Sequence, residues 1–232
     1  MAGLHCFIKK ENIMKKAMLI LVYLMFSINA NAASFNFAAI ADTGEFGASS
    51  IAFVSPGLTV TATALTFGDL SDVTYRGGDG PANAYLDSGN AGLGVCKTLT
   101  PSNQCTPSSD DNVQSGEALG LSFDRTVTLG EIDFKNGQHG NTFSTDENLV
   151  LQVWLNGVTS LYSYALLDMI DFNLRGDEFV FFNTFAGTST GEQFYISALN
   201  AEVPVPAALF LFAPALLGFL GLRRKAKSAL AV

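Results

Sequence analysis

The chain has 232 residues and three cysteines, and its 21 acidic side chains outnumber 13 basic ones for a net charge of −8. Between Ala33 and Glu202 the imbalance sharpens to 20 Asp or Glu against five Lys or Arg, a net of −15. Phosphate binding needs a basic footprint, so this balance excludes nucleic acid as an expected partner and favours an exterior that stays soluble and attracts cations.

At the start, Lys15 and Lys16 precede an apolar run from Ala17 to Ile28, and Ala30-Asn31-Ala32 places small residues where a signal peptidase reads them. This is the pattern of a secretory signal peptide, with cleavage expected after Ala32. The run is too short to cross a hydrocarbon core of about 30 Å, which argues against the alternative of an uncleaved anchor. Met14 opens the usual basic start and is the expected initiator, with Met1 to Ile13 upstream of it. The expected division is 1–32 signal peptide, 33–200 exported body and 201–227 sorting and anchor segment.

In the body, β-branched and aromatic runs alternate with Gly, Pro, Asn, Asp and Ser clusters, and helical periodicity is nearly absent. Strands are expected at Phe35–Ile40, Ser50–Val54, Leu58–Phe67, Ala118–Phe123, Val127–Phe134, Leu149–Leu155, Phe179–Phe185 and Gln193–Leu199. In the last-but-two, Leu149, Leu151, Val153 and Leu155 make one apolar face, which leaves Trp154 on the opposite parity and expected to face out. Apolar parity flips near Gly130, from Val127 and Leu129 to Ile132 and Phe134, which predicts a bulge. Ser160–Asn173 fits a helical turn or a further strand. Short strands without βα alternation predict an all-β fold, an antiparallel sandwich of jelly-roll type.

Tyr75–Asp111 is crowded with Gly, Asn, Asp, Ser and Pro and is predicted to be a long loop, which in a compact domain needs a function or a tie. Cys96 and Cys105 supply the tie. Cys6 falls in the segment expected to be absent from the mature protein, and an exported chain meets oxidising conditions, so these two are expected to pair as a disulfide. A metal alternative lacks a second Cys or His pair. Just beyond, Asp110, Asp111, Asn112 and Glu117 gather hard oxygen ligands beside a strand, a candidate calcium site if backbone carbonyls or Asp87 complete it, although the spacing is not that of an EF-hand. Solvated turn chemistry is the competing reading.

Catalytic patterns are weak. Gly187-Thr188-Ser189-Thr190-Gly191 matches the nucleophile elbow, but a strand rather than a helix is expected next and the one body histidine, His139, lies upstream. His139 sits in a polar loop, and a lone histidine makes no metal site. Carboxylate pairs suited to glycoside hydrolysis are recognised by spatial separation, which spacing along the chain does not give. Trp154, Tyr162, Tyr164 and Tyr195 are available to stack on sugars, with core packing as the competing role. No catalytic residues are assigned.

Val203 to Leu222 is a 20-residue stretch without a charged side chain, followed by Arg223, Arg224, Lys225 and Lys227. At about 1.5 Å per residue it matches a bilayer core, and the basic cluster after it is the cytoplasmic flank of the positive-inside rule. A buried core helix is the alternative. Pro214 within the run is tolerated in a membrane helix. The tail resembles the PEP-CTERM sorting signal of Gram-negative bacteria in three parts. These are Val203-Pro204-Val205-Pro206-Ala207-Ala208, then Leu216-Leu217-Gly218 within the apolar run, then Arg223-Arg224-Lys225. The departure is Val205, where the name-giving motif has Glu. Gly92–Phe134 is similar, at the level of pattern, to a segment that recurs in the bodies of such proteins, and no activity follows from that.

What the resemblance implies is recognition by exosortase, a transpeptidase-like membrane protease, with signal peptidase acting at the other end. The expected course is export, transient anchoring in the inner membrane, then the cell surface or extracellular matrix. The expected role is structural or exopolysaccharide-associated and non-catalytic. The alternatives are a membrane-anchored carbohydrate-active enzyme and a calcium-stabilised adhesion module.

Overall fold

Leu58, Val60, Ala62 and Ala64 alternate with threonines and point inward, which makes Leu58–Thr66 a strand with one buried face. The same logic runs through the computed structural model, which describes residues 32–66, 80–144, 148–183 and 193–204. All of it except Pro204 belongs to a compact unit, Asn31–Val203. In chain order the elements are β1 (Ala32–Asn36), α1 (Phe37–Ala41), β2 (Phe46–Ala48), β3 (Ser50–Ser55), β4 (Leu58–Thr66), β5 (Gly80–Asp87) and β6 (Gly92–Cys96). They continue with β7 (Glu117–Asn136), β8 (Asn148–Leu155), β9 (Val158–Ala165), β10 (Met169–Asn183) and β11 (Phe194–Glu202).

The protein is all-β, but it is not a jelly-roll sandwich. Hydrogen-bonded neighbours close a five-membered circuit, β4–β5–β6–β11–β7 and back to β4, with the remaining strands outside it. The cause is β7. Its first half pairs with β4, Val60 opposite Phe123 through Thr66 opposite Glu117, and its second half pairs with β11, Asn136 opposite Phe194 through Thr128 opposite Glu202. Two layers that a sandwich keeps apart are therefore joined by one continuous strand. The turning point lies between Ser122 and Val127, where the ladder to β10 jumps from Glu178 to Gly176. What reads along the chain as two strands, ending at Phe123 and beginning at Val127, is one strand with an irregular elbow.

The bulge expected near Gly130 is present: Ile132 and Leu129 lie opposite Leu199 and Ala201, one residue more on β7 than on β11. It keeps Leu129 and Ile132 both buried. In the core, Phe134 packs edge-to-face on Phe172 and Phe181 of β10 and on Phe194 of β11.

Three other expectations change, and a fourth is decided in favour of its strand alternative. The first strand stops at Asn36, whose side chain accepts from the Ala39 N–H at 2.9 Å and caps the short helix α1. Ser160–Asn173 holds no helical turn but the end of β9 and the start of β10, and the two strands of the β8–β9 hairpin are joined by Asn156-Gly157, both at positive φ. Trp154 is buried, in a small second cluster with Ala118, Val180 and Phe182 on the outer face of the sheet. The stretch Tyr75–Asp111 is not one loop, since it contains β5 and β6, two members of the circuit. Their composition is loop-like because the space around β6 is tight. A Cβ on Gly94 would collide with the Asp111 carbonyl oxygen and reach 2.9 Å from the Asn112 Cα, so the strand is built from residues too small to announce themselves.

Candidate functional site

The chain leaving β6 turns back over its own strand and returns as far as β7, and this covering segment, Lys97–Gly116, carries the acidic cluster. Four attachments hold it. Cys96 and Cys105 form a disulfide, as expected from the sequence. Gly47 N–H donates to the Asn103 carbonyl at 2.8 Å, and Gln104 Nε2 donates to the Glu45 carbonyl at 2.8 Å. Val113 forms an isolated antiparallel bridge with Phe194 on β11.

That bridge sorts the acids by parity. Val113 and Phe194 face the core, so Asn112 and Tyr195 project to the other side. Asp110 and Glu117 converge on Lys97: the ammonium lies 3.1 Å from Asp110 Oδ1 and 2.6 Å from Glu117 Oε1. Gln114 completes the group, its backbone N–H donating to Glu117 and its amide to Asp110. Asp111 turns the other way and accepts from the Tyr195 hydroxyl at 2.6 Å. Asn112 donates to Gln193 at 3.0 Å, while its Oδ1 is buried without a partner. The four candidate ligands are thus split between two groups, and the pair that converges, Asp110 and Glu117, has a lysine ammonium between its carboxylates.

A fourth acid, Asp87 at the end of β5, reaches His139. The imidazole lies in the turn after β7, Nδ1 against the Gly89 carbonyl at 3.0 Å and Nε2 against Asp87 Oδ2 at 2.9 Å. A carbonyl only accepts, so Nδ1 carries a proton. The imidazole also meets the Tyr195 ring edge-on at 5.3 Å, which brings Asp87, Asp111, His139 and Tyr195 into one cluster.

Burial dominates the electrostatics. It pushes the Asp87 carboxyl up to about 6, with the Asp111 charge adding to the shift and His139 and Tyr195 opposing it. Burial also raises Asp111 and the Tyr195 phenol, the latter further through its bond to Asp111. Glu117, fully buried, is pushed up to about 7 by desolvation against the pull of Lys97. Desolvation lowers Lys97, but Glu117 and Asp110 outweigh it and hold the ammonium above its ordinary value. Both partners of that pair shift upward; the carboxylate bears the cost of burial, whereas the lysine is half exposed and keeps its proton.

One open hollow of about 250 Å³ lies on the outer face, lined by Ser122, Phe123, Trp154, Gly157, Asp177 and Glu178. Of the other aromatics considered for sugars, Tyr162 is exposed, Tyr164 packs on Phe172 at 4.8 Å and Tyr195 is buried.

Of the processing residues, Ala32 is the first residue of β1 and lies opposite Glu202 of β11, with Val203 packed against the core just beyond. Pro204 is the last described residue at that end. Ala30, Val205, Pro206, Ala207, Ala208, Arg223, Arg224 and Lys225 lie outside the described residues, as do Gly187–Gly191 and the rest of the apolar run to Leu222. Among the described residues no helix is long and apolar enough to cross a membrane.

The sequence reading missed Lys97 as the partner of Asp110 and Glu117, and it missed both contacts that define the second cluster. Asp87 and His139 are 52 positions apart and Asp111 and Tyr195 are 84 apart, and no local spacing signals either pair. No protein-family model matches the chain, and no curated protein or solved structure matches it.

Proposed function

We propose that this is an exported surface or extracellular-matrix protein, processed at its N-terminus by signal peptidase and at its C-terminus by exosortase, with a structural, exopolysaccharide-associated role and no catalysis of its own. The observation that carries the reading is the tail: Pro204-Val205-Pro206, an uncharged run to Leu222 and Arg223-Arg224-Lys225 in immediate succession. An apolar helix with a cationic end is at home in lipid with the preceding acidic body on the outer side. The Cys96–Cys105 disulfide agrees with an oxidising destination.

A non-catalytic role is supported by how the acids are used. Asp110 and Glu117 are engaged by Lys97, Asp111 by Tyr195 and Asp87 by His139, so the cluster ties the covering segment to the β5–β6–β11 side of the circuit. The hollow beside Trp154, with Asp177 and Glu178 among its lining residues, is where a neutral saccharide finds hydroxyl acceptors and an aromatic edge. The test is fractionation of an internally tagged protein in a host with and without exosortase. The expected result is surface or matrix material with the enzyme and inner-membrane retention without it; identical fractionation in the two hosts overturns the reading.

A further inference from the structure

Asn-Gly occurs twice in the chain, at Asn136-Gly137 and Asn156-Gly157. In this dipeptide the glycine brings its backbone nitrogen to the asparagine side chain with no Cβ in the way. Attack by that nitrogen on the amide carbon Cγ, with its proton passing to solvent, forms a C–N bond and closes a succinimide ring. The bond to Nδ2 breaks, and that nitrogen takes up a proton and leaves as ammonia. Water then opens the ring at either carbonyl and leaves aspartate or isoaspartate. Closure needs nitrogen and Cγ to reach attack geometry, so the fold decides which of the two sites reacts.

The two sites are held in opposite ways. Asn136 is buried at the end of β7. Its Oδ1 accepts from the Gln138 N–H at 3.0 Å and the Gly140 N–H at 2.8 Å, and its Nδ2 donates to the Thr142 carbonyl at 2.8 Å. Turning Cγ toward Gly137 breaks all of these bonds together. Gly137 is also wedged in place, since a Cβ there would lie 3.1 Å from the Gln193 Cβ. Asn156 and Gly157, by contrast, make the exposed turn between β8 and β9, at φ 52° and 80°. The ladder stops at Leu155 opposite Val158 and includes neither residue. The Asn156 side chain makes no hydrogen bond among the described residues, and a Cβ on Gly157 would meet nothing within 4 Å.

We infer that Asn156 is a self-modification site of the folded protein, converting to aspartate and isoaspartate with water as its only co-reactant, and that the turn after β7 shields Asn136 from the same reaction. Either product sets a new carboxylate next to Gly157, which lines the open hollow with Asp177 and Glu178. Isoaspartate also adds a methylene to the backbone of the turn whose length sets the β8–β9 register. The modification thus makes the hollow more acidic and loosens the hairpin that ends the sheet.

The test holds the full-length chain in detergent at mildly alkaline pH, once folded and once in guanidinium. Peptides spanning the two sites are sampled over time by mass spectrometry, with electron-transfer fragmentation to separate aspartate from isoaspartate. In the folded protein Asn156 is expected to convert at least about tenfold faster than Asn136, and Asn156→Ser to abolish the fast release of ammonia. In guanidinium the two rates are expected to converge, because both side chains are then free. Conversion of Asn136 as fast as Asn156 in the folded protein, conversion of Asn156 only when unfolded, or a rate ratio unchanged by guanidinium would each overturn the proposal.

Discussion

Lys97 Nζ lies 2.6 Å from a carboxylate oxygen of Glu117, a side chain with no exposure to solvent. Removing the ammonium leaves that carboxylate and Asp110 facing each other in a low-dielectric site. Lys97→Met is therefore expected to destabilise the fold by about 2–3 kcal/mol, less than for a fully buried pair because the lysine is itself half exposed. Glu117→Gln, which removes the buried charge as well, is expected to cost less than Lys97→Met. Urea denaturation of both variants checks the order.

The raised acids give the protein an unusual pH response. Asp87 goes from an ordinary 3.8 to about 6, and Glu117 from 4.5 to about 7. The folded state thus holds protons more tightly than the unfolded state. Their unfavourable contribution is absent below about pH 4, grows as pH rises between the unfolded and folded values and is complete above about pH 7. The melting temperature is expected to rise as pH is lowered from about 8 to about 5, and Glu117→Gln is expected to flatten that slope. A melting temperature that falls over the same interval contradicts the assignment.

His139 bridges the Gly89 carbonyl and Asp87. His139→Ala leaves Asp87 with its burial and without its partner at Nε2. The expected loss is about 1–2 kcal/mol, with faster amide exchange in 136–141 and in the Ser88–Ala91 turn and no change in β8 or β9. Exchange measured by mass spectrometry separates this local effect from general destabilisation.

The disulfide closes a short span, Cys96 to Cys105, and chain entropy assigns such a closure about 2–3 kcal/mol. Reduction is expected to lower the melting temperature and to loosen the segment that carries Asp110 and Asp111. Gly94→Ala attacks the same packing from below, since its Cβ collides with the Asp111 carbonyl. It is expected to cost about 3 kcal/mol, even though alanine is otherwise acceptable in a strand.

What was legible along the chain, and what was not, follows from what writes each feature. Strands whose apolar inward face alternates with polar or β-branched residues, such as Leu58–Thr66, or whose inward face is large, such as Asn148–Leu155, show their period directly. So did the parity flip at Gly130, because a bulge displaces the apolar pattern by one residue. β5 and β6 did not show, since β6 is compressed between the covering segment and β11 and is built from glycine, leucine, valine and cysteine in a five-residue run. The closed circuit was invisible for a related reason: it depends on β7 continuing through Asp124 and Arg125, which read as a turn. The Cys96–Cys105 pair was accessible because only two cysteines remain in the body, whereas Lys97 among the acids gave no signal that distinguishes a solvated lysine from a partner of buried Glu117.

The measurement that bears most directly on export and processing is the intact mass and terminal sequence of the protein recovered from the surface of an exosortase-containing host. The expected species begins at Ala33, ends near Pro204-Val205-Pro206, lacks Leu209–Leu222 and has Cys96 joined to Cys105. A cytosolic species that retains Met14–Ala32 and the apolar run, with both thiols free, would contradict the account.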